Sequence, residues 1–269
     1  MRIAIYHNDI EQTVTVAKNL LNLLSAHPHE FTIDDENPEV VISVGGDGTL
    51  LAAFHHYADD LEKVRFIGVH TGHLGFYADW QSFELPELVE SLLVDKAKTV
   101  QYPLLTMRVH HKSGVEEDVL ALNEAAIKRP RGTLVADITI DGDFFERFRG
   151  DGLTAATPTG STAYNKANGG AILHPSLASV QLSEIASINN RVYRTLGSPL
   201  IIGRNEVVRI AEINNNASVT LAYDHLTVET TDIEWVEFRA AEQHISFAEY
   251  RHTPFWHRVR NSFIGDEVN

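Results

Sequence analysis

Residues 45–49 read Gly-Gly-Asp-Gly-Thr and lie between the β-branched run "EVVISV" and the helix-like run "TLLAAFHHYADDL". Glycines let a backbone approach a phosphate closely, and a helix N-terminus offers free N–H groups to an anion. An aspartate in such a loop repels phosphate by its own charge. It makes chemical sense if it takes the proton of an attacking hydroxyl or faces a divalent cation. By themselves the same five residues also suit a tight turn. The common phosphate fingerprints fail. There is no G-x-x-x-x-G-K-[ST], and the G-x-G-x-x-G spacing that begins at Gly46 ends on Leu51, which argues against a Rossmann-type dehydrogenase. The protein-kinase catalytic set and G-x-S-x-G are also missing.

A second stretch, "RFRGDGLTAATPTGSTAYNKANGGA" (147–171), repeats Gly-Asp-Gly and carries the hydroxyls of Thr157, Thr159, Ser161 and Thr162 around a sharp turn at Pro158 and Gly160. A polar connection this long is rich in donors and exposed backbone, as a nucleotide site needs, and long loops in compact domains are usually functional. It also fits an ordinary surface connection. Asn123-Glu124 is a polar pair inside the apolar strand "LALNEAAI", or else a turn toward solvent. His70 and His73 stand three apart with no third ligand in view, which favours loop packing over a metal site.

The elements that position these residues fall into two textures. The first hundred residues alternate strands ("RIAIY", "EVVISV", "VRFIGVH") with helices ("EQTVTVAKNLLNLLSAH", "TLLAAFHHYADDL", "LPELVESLL"). Such alternation predicts an α/β domain with a parallel sheet. If the second and third strands are parallel neighbours, the glycine-rich exit around Gly68, Gly72 and Gly75 lies beside the first loop. From about Tyr102 short strand-like segments dominate, with Asp141-Gly142 as a hairpin turn and "PSLASVQLSEIASI" as a helix-like insert. This half predicts a β-rich, sandwich-like domain. The expected division is 1–100 for the domain carrying Gly-Gly-Asp-Gly and 101–252 for the β-rich domain, with the aromatic, basic tail 253–269 packing back on the first.

Composition narrows the classes. Hydrophobic residues make up 43% of 269, enough for packed cores. The net charge of −15 disfavours nucleic-acid and membrane-surface partners, where lysine and arginine must meet phosphate. Without cysteine there are no disulfides, thiolate metal sites or cysteine nucleophiles. No run approaches the ~18 apolar residues of a membrane span, so a cytoplasmic protein is expected.

Three motifs together, "GGDGT" (45–49), "LNE" (122–124) and "TPTGSTAYN" (157–165), resemble the signatures of the NAD kinases. "HTGHLGFYADW", "RFRGDG" and "ASINNRVYRTLGSPL" resemble the bacterial members, especially those of Firmicutes, and the likeness runs over nearly the whole chain. The resemblance implies transfer of the γ-phosphoryl of ATP to the 2′-hydroxyl of the adenosine ribose of NAD, giving NADP. It implies a divalent metal, usually magnesium, with ligands that the sequence leaves unknown. Inorganic polyphosphate is an alternative donor. Asp47 is implied as the base, with Gly45, Gly46, Gly48 and Thr49 facing the donor phosphates. Asn123 and Glu124 are implied to hold the adenosine. Thr159, Thr162, Ala163, Tyr164, Asn165, Lys166 and Ala167 line its site, and His225 lies near the 2′-position. Arg149 suits the product's 2′-phosphate, and Asp151 suits the carboxamide of the nicotinamide end. Family sites are shared between subunits, so Arg149, Asp151 and the region of Ala186 are expected to reach a neighbour's ligand in a homodimer or homotetramer.

"GGDGT" alone is shared with lipid kinases of the diacylglycerol and sphingosine type. That reading, and a non-catalytic NAD(P)-binding sensor on the same scaffold, remain as alternatives.

Overall fold

The structure, a computed structural model, describes residues 1–72, 75–213, 218–249 and 251–265. Two compact units divide it: Met1–Tyr102 with the stretch from Gln243 onward, and Pro103–Glu242.

The first unit is built by β1 (Arg2–His7), α1 (Glu11–Ser25), β2 (Thr32–Ile33), β3 (Val40–Val44), α2 (Asp47–His56), β4 (Arg65–His70), β5 (Trp80–Gln81) and α3 (Leu85–Leu93). Its sheet is parallel, in the order β2-β1-β3-β4, with β5 and Phe247 also pairing along β4. Every residue of β3 is buried, as a strand covered on both faces requires. On α1 the buried positions are Thr13, Ala17, Leu20 and Leu24, one stripe at helical spacing. Leu20 and Leu24 pack with Ile42, Val69, Leu88 and Leu92 into one core. Because β3 and β4 are parallel neighbours, their C-terminal loops run together: the Gly45 N–H donates to the Val69 carbonyl at 2.9 Å. Ligands of open α/β sheets bind at this end of the strands.

The second unit carries β6 (Thr99–His110), β7 (Glu116–Ala121), β8 (Glu124–Lys128), β9 (Leu134–Ile140), β10 (Asp143–Gly150) and β11 (Gly152–Ala156). After the short helix α4 (Tyr164–Ala167) follow β12 (Ser179–Ile185), β13 (Leu200–Gly203), β14 (Val208–Ala211), β15 (Val219–Tyr223), β16 (Leu226–Thr230) and β17 (Trp235–Ala248). One sheet has the order β10-β9-β14-β17, with β6 beside β17 and β7 beside β6. The other is antiparallel throughout, in the order β13-β12-β11-β8-β15-β16. Leu105, Ile138, Phe148 and Phe238 of one sheet share a core with Ile127, Leu153, Leu182 and Leu221 of the other, so the unit is a sandwich. Asp141 (φ 50°) and Gly142 (φ 86°) form the expected hairpin turn.

Four local readings are corrected or decided by the structure. "PSLASVQLSEIASI" is not a helix but contains β12. Its apolar residues Leu177, Val180, Leu182, Ile185 and Ile188 recur closely enough to mimic a helical face. In fact Val180 and Leu182 enter the sandwich core, while Gln181 and Ser183 are buried on the other face beneath residues 165–171. Where short strands are expected, β17 runs unbroken over Trp235–Ala248. Of the two readings left open for Asn123-Glu124, the turn holds for Asn123, which lies between β7 and β8, while Glu124 opens β8. The polar connection after β11 is ordered into a 3-10 turn at Thr159–Thr162 and then α4. The tail forms α5 (Phe255–Phe263), whose Phe255 ring meets Phe76 of the first unit edge-on at 5.8 Å. Among the described residues no helix is long and apolar enough to cross a membrane.

Candidate active site

In the first unit, Asp47 is the first residue of α2 rather than a loop residue, with Gly46 as the N-cap. Gly45 is required by space: a Cβ there would lie 2.3 Å from Thr49 Oγ1. Thr49 is buried beneath it and accepts a hydrogen bond from Asn8 Nδ2 at 3.4 Å. Gly46 and Gly48 face open space, so the backbone there is bare. The half-buried Asp47 carboxylate is held by the loop after β4. Its Oδ2 accepts the Phe76 N–H at 2.8 Å and its Oδ1 accepts the Tyr77 N–H at 2.9 Å. A carboxylate has about four lone-pair sites, so two amides fix its plane and leave acceptor capacity for a hydroxyl.

In the second unit, "LNE" and "TPTGST" are stitched together. Asp224, at φ 51° in the turn between β15 and β16, accepts the N–H groups of Leu122 (2.9 Å) and Asn123 (2.7 Å). The Thr157 N–H donates to the Asn123 carbonyl at 2.8 Å, and Thr157 Oγ1 donates to the Leu122 carbonyl at 2.6 Å. Thr157 Oγ1 in turn accepts the Gly160 N–H at 2.9 Å. Burial, and then the charge of Asp224, push the Glu124 carboxyl up to about 7, against a Tyr164 N–H bond and Lys128 that favour its ionised form. Glu124 Oε2 and Thr159 Oγ1 are buried with no hydrogen-bond partner. Buried polar atoms almost always have one, so these two, among six such side-chain atoms of the described residues, are candidates to meet a polar ligand. Lys128 Nζ sits 4.1 Å from the Tyr164 ring centre.

The remaining residues fall into two groups. His225 is exposed and follows Asp224, whose N–H donates to the Glu124 carbonyl at 2.9 Å, while Thr162 and Ala163 are half-buried just before Tyr164. Asn165 is fully buried and accepts from Ser183 Oγ at 2.8 Å, while Lys166 and Ala167 are exposed on α4. Arg149, Asp151 and Ala186 lie at the other end of β11. Glu124 pairs with Ala156 at one end, whereas the Asp151 N–H donates to the Ile185 carbonyl just before Gly152. At ~3.3 Å per strand residue the two ends are about 16 Å apart. The Arg149 guanidinium lies 4.2 Å over the Tyr193 ring, and Ala186 is exposed at φ 47°. The glycines around Asp151 serve packing: a Cβ on Gly152 would be 2.4 Å from the Ile127 carbonyl oxygen.

No group of three or more histidine, cysteine, aspartate or glutamate side chains among the described residues could hold a metal ion. His70 Nδ1 lies 3.1 Å from the Gly72 carbonyl, and His73 is outside the described residues. The described residues therefore do not form an ion cage.

A family model described as ATP-NAD kinase N-terminal domain matches residues 32–97, and one described as ATP-NAD kinase C-terminal domain matches 122–250. Together they cover more than half of the chain. The chain belongs to the NAD kinase family. NAD kinase of Leuconostoc citreum is 54% identical over 266 residues, 99% of each chain, and that of Enterococcus faecalis is 51% identical over 268 residues, 99% of this chain and 100% of its own. Among solved structures, yeast NADH kinase complexed with NADH has a TM-score of 0.84 at 21% identity, covering 100% of this chain and 89% of that one. An NAD kinase from Archaeoglobus fulgidus in complex with ATP has a TM-score of 0.74 at 23% identity, with 98% of both chains covered. These two establish the NAD kinase fold. The lipid-kinase and sensor alternatives gain no support from any of these matches.

The glycine-rich exit at Gly75 does lie beside Asp47, as expected from parallel neighbouring strands, but sequence reasoning missed Asp224, Lys128 and the amides of Phe76 and Tyr77. Asp224-His225 between alternating runs was readable as a hairpin turn. Nothing local signals that its carboxylate reaches back a hundred residues to Leu122 and Asn123.

Proposed function

We propose that the protein transfers the γ-phosphoryl of ATP to the 2′-hydroxyl of the adenosine ribose of NAD, producing NADP. Family membership supports the reaction. The observation that carries the residue assignment is the Asp47 carboxylate, pinned by two amides beside bare glycine backbone at the start of α2. Asp47 accepts the proton of the attacking 2′-hydroxyl, a step typically worth about 10²–10⁴-fold. Gly45, Gly46 and Gly48 let the donor phosphates approach the N–H groups of the helix start, and Thr49 supports that turn from beneath. Positioning carries the rest of the rate.

Asn123, Glu124 and Thr159 receive the adenosine, with the unpartnered Glu124 Oε2 and Thr159 Oγ1 as acceptor and hydroxyl for its polar edges. Thr162, Ala163 and Tyr164 line the same place, with His225 beside it. Asn165 holds α4 down, and Lys166 and Ala167 extend it. A divalent cation, magnesium in the simplest case, neutralises charge on ATP and is carried by the nucleotide's own phosphates. Arg149, Asp151 and Ala186, about 16 Å along β11, serve the ligand of a second copy in a homodimer or homotetramer. The setting is the cytoplasm, with no membrane or nucleic-acid partner.

The test is incubation of the purified protein with NAD, ATP and magnesium, with NADP read out by an NADP-specific dehydrogenase and Asp47→Asn run in parallel. NADP from wild type and a loss of about 10²-fold or more in Asp47→Asn is expected. Wild-type kcat in Asp47→Asn would remove the base assignment.

A further inference from the structure

Arg258 is among the most buried charged residues, at 5% exposure, yet it belongs to the C-terminal helix α5 and to none of the family motifs. A buried guanidinium is tolerable only when its donors are met. Here Nε donates to the Thr253 carbonyl at 2.9 Å, and Nη2 lies 2.7 and 2.8 Å from the two Asp79 oxygens. Asp79 also accepts the Thr253 N–H at 3.0 Å. His252 stands beside the pair, with Nδ1 3.3 Å from Asp79 and Nε2 2.7 Å from Tyr102 Oη. The remaining donor, Nη1, bonds the Phe76 carbonyl.

That carbonyl shares a peptide unit with the Tyr77 N–H, which donates to Asp47 Oδ1. A peptide unit is planar and trans, so its C=O and N–H point in opposite directions. Clamping the carbonyl from one side therefore fixes where the N–H points on the other. Donation to the carbonyl also polarises the unit and strengthens its N–H as a donor. The α5 helix grips the same residue a second way, through Phe255 against the Phe76 ring.

We propose that Arg258 is a positioning residue for Asp47, acting through the single peptide unit that joins Phe76 to Tyr77. The loop after β4 has no regular structure between Thr71 and Asp79 among its described residues. Its hold on the Asp47 carboxylate is thus set from the C-terminus of the chain. Asp79 is the partner that aims the guanidinium, since both its oxygens accept from Nη2 in a charge-assisted pair.

The inference rests on Asp47 being the base, and the test separates the two. Arg258→Gln and Arg258→Lys are made in wild type and in Asp47→Asn, with thermal unfolding as a check on folding. Arg258→Gln is expected to lower kcat about tenfold or more, within the ~10²-fold that a misplaced group can cost. KM for NAD and ATP should change less than about twofold. Arg258→Lys, whose ammonium can still donate to the Phe76 carbonyl, should recover part of the loss. In the Asp47→Asn background the same change should cost less than about twofold, because the group being positioned is gone. An equal factor in both backgrounds, or an unchanged kcat, overturns the positioning role. If Arg258→Gln does not fold, Arg258→Lys alone completes the cycle with the same criterion. A wild type that makes no NADP, or Asp47→Asn at wild-type turnover, overturns the reading of Asp47 instead.

Discussion

Gly75 and Asp47 are packed so closely that a methyl group on Gly75 would lie 2.6 Å from Asp47 Oδ1 and 3.2 Å from its Cγ. The carboxylate has no room to retreat, because Phe76 and Tyr77 of the same loop hold both its oxygens. Gly75→Ala must therefore either turn the carboxylate or lift the loop and break those two bonds. Turnover is expected to fall by about 10²-fold, the scale of a misplaced reacting group, while the melting temperature moves little. Steady-state NADP formation checks it. A kcat near wild type would mean that the carboxylate geometry seen here is not the working one.

Glu124 carries a pH signature. Its carboxyl is pushed up from 4.5 to about 7, first by burial and then by Asp224. The folded state thus holds the proton more tightly than the unfolded chain. That contribution is fully present below about 4.5 and is lost as pH rises through about 7. The swing is on the order of 3 kcal/mol. Glu124→Gln lacks the titration, so its melting temperature relative to wild type should be higher at pH 8 than at pH 5. Bound NAD, donating hydroxyls to the ionised carboxylate, should flatten the wild-type slope. Parallel pH profiles of the two proteins that superimpose in shape would refute the assignment.

The parts of this protein that could be read from its sequence are those written in adjacent residues. The five apolar residues of β3 state a buried parallel strand, and the glycines that follow state where a phosphate can approach. Asp141-Gly142 states its own hairpin. Other features depend on residues far apart. β12 looked helical because Gln181 and Ser183, polar yet buried, are covered by Ala171 and Asn165 from a separate segment. Asp224 reaches Asn123 across 101 positions, and Arg258 reaches Phe76 across 182. The motifs point to the candidate residues, whereas the groups that hold them, such as Asp224 and Arg258, come from tertiary packing that no local pattern records.

Two glycines of the motifs should respond in opposite ways to the same change. A Cβ on Gly160 would fall 1.9 Å from the Asn123 carbonyl oxygen and 2.3 Å from its carbon, both backbone atoms that cannot swing aside. Gly160→Ala must push "TPTGST" away from "LNE", breaking the Thr157 bridges that join them. Overpacking of this kind costs about 1–3 kcal/mol or more, so a clear fall in melting temperature is expected together with loss of NAD binding. Gly46 has nothing within 4 Å of where its Cβ would stand and an ordinary φ of −96°. Gly46→Ala should leave stability within about 0.5 kcal/mol of wild type, as surface changes usually do. Its added methyl instead enters the open space proposed for the donor phosphates at the start of α2, so KM for ATP should rise while KM for NAD holds. Thermal melts and two-substrate kinetics on both variants decide it. A Gly46→Ala enzyme with unchanged KM for ATP would show that the phosphates do not approach the backbone there.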